Sequence, residues 1–235
     1  MTATVLTGVS RGLGEALFDG LDRRGHRILA LGRTFSAAQR RLANAEPDRV
    51  GLWAVDLAAA EPAVDSEAFA EFLGEDETEP AVLIHNAGSV EPVGAVGTLD
   101  ARRVASTVRV NLIAPMLLTD AFLAAAGCNR PVRILFISSG AARRVIGGWA
   151  TYCATKAGGE MFFDAVAEQY ADEPRVVVAN VSPGVIDTDM QAVLRDSDGV
   201  YFPEREHFVG LAERGELPSP ATVAERILVE HLPMP

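Results

Sequence analysis

Six short apolar runs, separated by helical patterns, constrain the fold of this chain more than any other feature. They are Thr4–Leu6, Arg27–Leu31, Gly51–Val55, Ala81–His85, Arg133–Ile137 and Val176–Val181. Each is nearly continuous in apolar residues instead of alternating, as in strands covered on both faces. Helical stretches lie at Leu13–Arg24, Ala37–Ala45, Ala63–Leu73, Leu112–Ala126, Trp149–Tyr170 and Ala224–Leu232. Strands alternating with helices predict a parallel sheet with helices on both faces, three layers in all. In such a sheet ligands bind outside the carboxyl ends of the strands. No internal repeat or low-complexity tract interrupts the pattern, so residues 1–235 read as one α/β domain.

The first run leads directly into Thr7-Gly8-Val9-Ser10-Arg11-Gly12-Leu13-Gly14 and then a helix. Glycines at this turn let the backbone approach a pyrophosphate, while the helix N-terminus supplies free N–H groups and a positive dipole. The spacing is G-x-x-x-G-x-G, at the start of a βαβ unit, which makes the doubly wound sheet Rossmann-type. The second strand ends Leu31-Gly32-Arg33-Thr34. Dinucleotide folds selecting NAD place a carboxylate in that neighbourhood to bind the ribose 2′-hydroxyl. Arg33 stands there instead, and a guanidinium can take a 2′-phosphate bidentately. Arg11, inside the glycine loop, can approach the same group. The expected cofactor is therefore NADP(H), although Arg33 in an arginine-rich chain also reads as a simple strand end. Asp56 and Leu57 after the third strand, and Asn86-Ala87-Gly88 after the fourth, fall where adenine and ribose would lie.

Of the 21 basic residues only Lys156 is a lysine. It sits four residues after Tyr152, on the same helical face. A free phenol has a pKa of about 10 and is a poor proton donor and acceptor at neutral pH. An adjacent ammonium favours the phenolate and brings that value toward the working range. Ser139, at the end of the fifth strand, is placed to hydrogen-bond a substrate carbonyl, or serves only as a turn residue. Asn111 opens a helical stretch, where an N-cap is the simplest role.

Taken together, Thr7–Gly14, Asn86-Ala87-Gly88, Asn111, Ser139, Tyr152 with Lys156, and Pro183-Gly184-Val185-Ile186-Asp187-Thr188 resemble the short-chain dehydrogenase/reductase family in order and spacing. The likeness covers essentially the whole chain. It implies that Tyr152 is the general acid/base, Lys156 holds the ribose and lowers the tyrosine pKa, and Ser139 polarises the carbonyl. It further implies that Asn111 supports a proton relay, and that Pro183, Gly184, Val185, Ile186 and Thr188 hold the nicotinamide. The glycine-loop contacts implied are Gly8, Ser10, Arg11, Gly12, Leu13 and Gly14. The stretches Gly148–Ala157 and Pro183–Gln191 look like those of sepiapterin reductases and bacterial benzil reductases. Asn111–Met116 and Ser138–Ala142 favour the benzil-reductase side, which reduces one carbonyl of 1,2-dicarbonyl compounds with NADPH. Substrate-lining positions would be Ser139, Ala141, Val145, Trp149, Met190 and Gln191, with core packing an equal account of Val145 and Met190. The family also implies a homodimer or homotetramer through Leu112–Ala126 and Trp149–Tyr170.

Two departures from the family stand out. His85 replaces an asparagine before Asn86 and reads as a strand-end histidine. The chain stops at Pro235 soon after its last helical stretch, so a closing strand and a pterin-anchoring acid are not expected. The segment 191–220, with Pro203, Pro218, Pro220, Tyr201 and Phe202, reads as a linker or as a lid over the site. Other activities compatible with these motifs are oxidative alcohol or hydroxysteroid dehydrogenation, and non-catalytic NADP(H) sensing.

Charge and composition exclude other classes. A net charge of −11 leaves no general basic face for nucleic acid or an anionic membrane. No apolar run is expected to reach bilayer-spanning length. The start of the chain enters a strand without a signal-type core. Two cysteines, Cys128 and Cys153, show neither disulfide framework nor metal spacing, in keeping with a cytoplasmic protein and no bound metal.

Overall fold

The computed structural model describes residues 1–59, 64–195, 197 and 200–232. Its strands are β1 (Ala3–Thr7), β2 (Arg27–Gly32), β3 (Val50–Ala54), β4 (Ala81–His85), β5 (Val132–Ile137) and β6 (Val176–Val181). All pair in parallel in the order β3-β2-β1-β4-β5-β6. Every expected strand is present within a residue or two of its expected limits. Among the described residues no strand follows the last helix.

Successive strand residues feed opposite faces, as the pleat requires. Leu6, Ile28, Ala30, Ile84 and Leu135 pack on one side with Leu17, Phe18, Leu21 and Leu228. These helix residues come from α1 (Gly12–Arg23) and α9 (Pro220–His231). Val5, Leu29, Leu31, Leu83, Ile134 and Phe136 pack on the other side with Phe69, Leu118, Phe122 and Phe163. Their partners belong to α3 (Ser66–Leu73), α5 (Ala114–Ala125) and α6 (Ala150–Gln169). This double burial explains the unbroken apolar runs of the four central strands, whereas β3 and β6, at the sheet edges, are only partly covered.

Helix α2 (Ala37–Ala45) has its expected limits and starts at a capping box between Ser36 and Gln39. Helix α3 begins later than its expected start because the Asp65 carboxylate caps it, accepting from the Ala68 amide. Residue 63 lies outside the described residues.

Three findings correct the expectations. First, a helix not anticipated, α4 (Ala101–Val108), is capped by Asp100 and runs through a π-helical turn, Arg109–Ile113, into α5. Asn111 is therefore buried inside a continuous helix and is not an N-cap. Pro115 has no N–H to return to the Asn111 carbonyl four residues earlier, a local reason for the ladder to widen there. Second, the combined helix Ala101–Ala125 has 25 residues and a window of mean hydropathy 1.5, enough by length and composition to cross a bilayer. The expectation that no segment reaches that length is wrong, because three consecutive pieces fuse. Leu118 and Phe122 nonetheless fill the core against the sheet, so the apolar composition serves packing in this fold. Third, the 191–220 segment is no linker. It contains the rest of α7 (Asp189–Arg195) and α8 (Arg205–Glu213), and Phe202 and Phe208 are buried.

Candidate active site

The strand order reverses between β1 and β4, and the carboxyl ends of these two strands are tied together at that point. The Thr7 hydroxyl accepts the Asn86 and Ala87 amides, each at 3.0 Å. The Asn86 side-chain amide donates to the Thr7 and Gly8 carbonyls at 3.2 and 3.0 Å. Gly8 has a φ of 74°, and Gly14 lies so close to the Gly8 carbonyl that a Cβ would stand 1.9 Å from it. The N-terminus of α1 carries no side-chain cap, unlike α2, α3, α4 and α9. Its free N–H groups open onto the turn formed by Gly8, Ser10, Gly12 and Leu13, a cradle fitted to a phosphate group. Gln39 was not anticipated: fully buried, it donates to the Val9 carbonyl at 2.9 Å and holds the loop. Its signal was the S-x-x-Q spacing of a capping box.

Arg33 is exposed at the end of β2 and makes no ion pair with a described residue. Arg11 does not converge on it in this structure. Its guanidinium meets Asp189 at the start of α7, at 3.2 Å, with both side chains more than 70% exposed. A pair so open contributes little and is readily exchanged for another anion. Asp56 closes its own turn by accepting the Ala58 amide at 3.0 Å, beside the half-buried Leu57. In the Pro183–Thr188 turn, Ile186 is buried, the Pro183 carbonyl accepts from Arg226, and the Thr188 methyl faces Gly12. Gly184 and Val185 complete this turn, which therefore closes against the glycine loop.

At the neighbouring end of β5 the residues read as catalytic come together. The Ser139 side chain neighbours the Tyr152 phenol closely enough to favour its ionised form. Ser139 also caps a short 3-10 turn, Gly140–Ala142, by accepting the Ala141 amide, so it is a turn residue as well as a phenol partner. Lys156 is buried, donates to the Ile137 carbonyl at 2.7 Å, and lies 4.7 Å from the Phe136 ring centroid. Gly88 faces both groups: a Cβ there would stand 3.9 Å from the lysine Nζ and 3.6 Å from Asn111 Oδ1.

Burial, followed by the influence of Ser139 and Cys153, governs the phenol, and Tyr152 is pushed up to about 12. The expected lowering by Lys156 is not found in the protein alone. The ammonium is 5.9 Å from the phenol ring centroid and is itself bonded to Ile137. Desolvation outweighs attraction at that range. Burial also lowers Lys156 to about 8, opposed by the Glu160 carboxylate.

Asn111 accepts the Ser89 amide and donates to the Ser89 carbonyl, both at 2.8 Å, and donates to Thr155 Oγ1 at 3.1 Å. Thr155 in turn donates to the Tyr152 carbonyl at 2.9 Å. The π turn thus ties the β4 loop to the helix carrying Tyr152. Thr155 shares that helix face by spacing alone, whereas Ser89 had no sequence signal.

Trp149 stacks on Tyr152 with centroids 4.4 Å apart, and its indole donates to the Val90 carbonyl at 2.8 Å. Phe202 and Phe208 meet its other edges at 5.7 and 6.3 Å. Trp149 therefore stands behind the tyrosine and offers little surface of its own. Ala141 belongs to the same buried cluster. Val145 is 95% exposed, so core packing does not account for it. Met190 is partly exposed, and Gln191, only 7% exposed, has a buried side-chain oxygen without a hydrogen-bond partner among the described residues. Tyr201 is half exposed and Phe202 is the buried anchor beside it. His85 is a buried strand end: Nε2 shares a hydrogen bond with Thr119 at 2.9 Å, and burial takes it down to about 3.

The model of the short chain dehydrogenase family matches residues 2–199. A benzil reductase ((S)-benzoin forming) from Bacillus cereus is 33% identical over 232 residues, covering 97% of this chain and 92% of the relative. Sepiapterin reductase from Rattus norvegicus is 32% identical over 240 residues, covering 95% and 88%. Among solved structures, the KRED1-Pglu enzyme superposes with a TM-score of 0.82 at 28% identity, covering 99% of this chain and 95% of that one. The sheet order, the glycine loop at the switch point and these likenesses agree, and the chain belongs to the short-chain dehydrogenase/reductase family of oxidoreductases, which use NAD(P)(H).

Proposed function

We propose that this protein is an NADPH-dependent carbonyl reductase whose substrates are aromatic ketones or 1,2-dicarbonyl compounds. The observation that carries the reading is the meeting of Ser139, Tyr152 and Lys156 at the end of β5. The uncapped α1 N-terminus and the Gly8–Gly14 turn lie at the switch point beside them. The cradle suits a pyrophosphate. Arg33, without an ionic partner among the described residues, suits a 2′-phosphate, and Arg11 joins it by leaving Asp189. Asp56, Leu57, Asn86, Ala87 and Gly88 border the adenosine half, and Pro183–Thr188 the nicotinamide half.

A nicotinamide held by the Pro183–Thr188 turn would supply hydride to a carbonyl carbon. Ser139 holds the carbonyl oxygen, and Tyr152, whose phenol keeps its proton at neutral pH, donates that proton to it. Lys156 holds positive charge beside the phenol, so the phenolate left behind is stabilised. Asn111 keeps the β4 loop and α6 in register through Ser89 and Thr155. The apolar surroundings of Ala141 and Met190, with the Gln191 amide, suit a substrate that is largely apolar and carries a second oxygen. The likeness to a benzil reductase supports the same substrate class. The 191–220 segment, pinned by Phe202 and Phe208, is its lid. Exposed Ile113, Leu117 and Met161 on α5 and α6 and the turn before them support a homodimer or homotetramer. Free Cys128 and Cys153 support a cytoplasmic setting.

The test follows NADPH and NADH oxidation with benzil, an aliphatic diketone and sepiapterin, in wild type and Tyr152→Phe. NADPH-linked turnover of a diketone that drops at least ~10²-fold in Tyr152→Phe is expected. Undiminished turnover in Tyr152→Phe rejects the mechanism.

A further inference from the structure

Tyr152, Lys156 and Glu160 occupy successive turns on one face of α6. Three consecutive residues at the end of β5 hold them in crossed order. The Ile137 carbonyl accepts from Lys156 at 2.7 Å, Ser138 donates to Glu160 at 2.7 Å, and the Ser139 side chain neighbours the Tyr152 phenol. Glu160 is buried, and its second oxygen accepts from Arg143 Nε at 2.8 Å; the Arg143 side chain is 75% exposed. A carboxylate withdrawn from water to this degree is costly unless it serves its neighbours. Resting on the functional reading above, we infer that Glu160 is a positioning residue: it anchors the end of β5 through Ser138 and keeps Lys156 charged beside Tyr152.

The surroundings leave Glu160 that task. Lys156 faces Tyr152 and Glu160 from its own helix, His85 from β4, and the uncharged Phe136 ring and Ile137 carbonyl from β5. His85 is held neutral by burial. Among described residues, Glu160 is therefore the anion acting on this lysine, and it opposes the desolvation that lowers it. Glu160 itself faces Ser138, just after β5, and Arg143, after the following turn. Its main-chain carbonyl accepts from Asn180 on β6, which also donates to Asp164. Arg143 thus tempers, from the surface, the negative charge that Lys156 receives.

The composition supplies a direct readout, because Lys156 is the only lysine of the chain. Incorporation of lysine labelled with ¹³C at Cε gives one side-chain resonance, whose pH titration reports Lys156 without any need for turnover. Glu160→Gln keeps the shape and a hydrogen-bonding group but removes the charge. Its Lys156 midpoint should fall by about 1 pH unit. Arg143→Ala, at an exposed side chain, should move the midpoint the opposite way. The alkaline limb of kcat should follow the midpoint in each variant, with KM for NADPH nearly unchanged. Midpoints coinciding with wild type in both variants overturn the inference, even if kcat or thermal stability drops. Unmoved midpoints beside an inactive Tyr152→Phe locate the failure here. Moved midpoints beside a fully active Tyr152→Phe support the electrostatic link and locate the failure in the functional reading.

Discussion

Replacing Trp149 with Phe tests how Tyr152 is held. The indole is buried, stacks on Tyr152, and donates to the Val90 carbonyl at 2.8 Å. Phenylalanine retains a stacking face but cannot donate, so the Val90 carbonyl is left without that partner, at a cost of about 1–3 kcal/mol. The lost ring volume, roughly 40 Å³, adds about 1 kcal/mol if the neighbours do not collapse into it. Phe202 and Phe208 pack on the indole edges, so collapse would disturb the seating of α8 and the residues before it as well. The total is about 2–4 kcal/mol. Urea unfolding followed by circular dichroism should show a lower midpoint with an unchanged m-value. Diketone turnover should fall about tenfold as the phenol loses its fixed orientation. A loss of stability below about 0.5 kcal/mol with unaltered turnover would refute the view that Trp149 is the backing of Tyr152.

Arg33→Asp should reverse the charge offered to a 2′-phosphate and lower the NADPH-to-NADH preference in kcat/KM by at least about tenfold, the value of a lost charge-assisted hydrogen bond. An unchanged ratio would remove Arg33 from cofactor selection. His85→Asn addresses acid stability. His85 goes down from 6.5 to about 3 on burial, so the unfolded chain binds a proton that the folded one refuses between those values. Its contribution is complete above about pH 6.5 and is lost progressively as pH falls toward 3. Between pH 7 and pH 5 the wild type should therefore lose about 2 kcal/mol more than His85→Asn, read from denaturant midpoints at the two pH values. Parallel losses in both proteins would show that His85 does not set the acid limit.

Much of this molecule was legible because its signals are local. Unbroken aliphatic runs mark doubly covered strands, and all six appear in the sheet. The Tyr152–Lys156 spacing places both groups on one helix face whatever surrounds them. What escaped depends on neighbours distant in sequence. Asn111 looked like a helix start, yet its side chain is committed to Ser89 and Thr155 inside a continuous helix. Trp149 looked like a pocket wall, but its position behind Tyr152 is set by Val90 and Phe202, more than fifty residues away on either side. The direction of the Tyr152 shift was misjudged for the same reason. Spacing reveals that a cation is near, whereas desolvation depends on the whole enclosure.

The π turn at Arg109–Ile113 also restricts how this segment can change length. It lets two helices of different angular phase run as one rod: Thr107 before it bonds the Glu91 carbonyl, while Leu118 and Phe122 after it fill the core. Deleting one residue there would restore an ordinary helical ladder but rotate one half against the other by about 100°. Either the Asn111 side would leave the β4 loop or the Leu118 side would leave the sheet. Single-residue insertions or deletions between the two halves should therefore be purged by selection, while substitutions on the outer face remain free to drift.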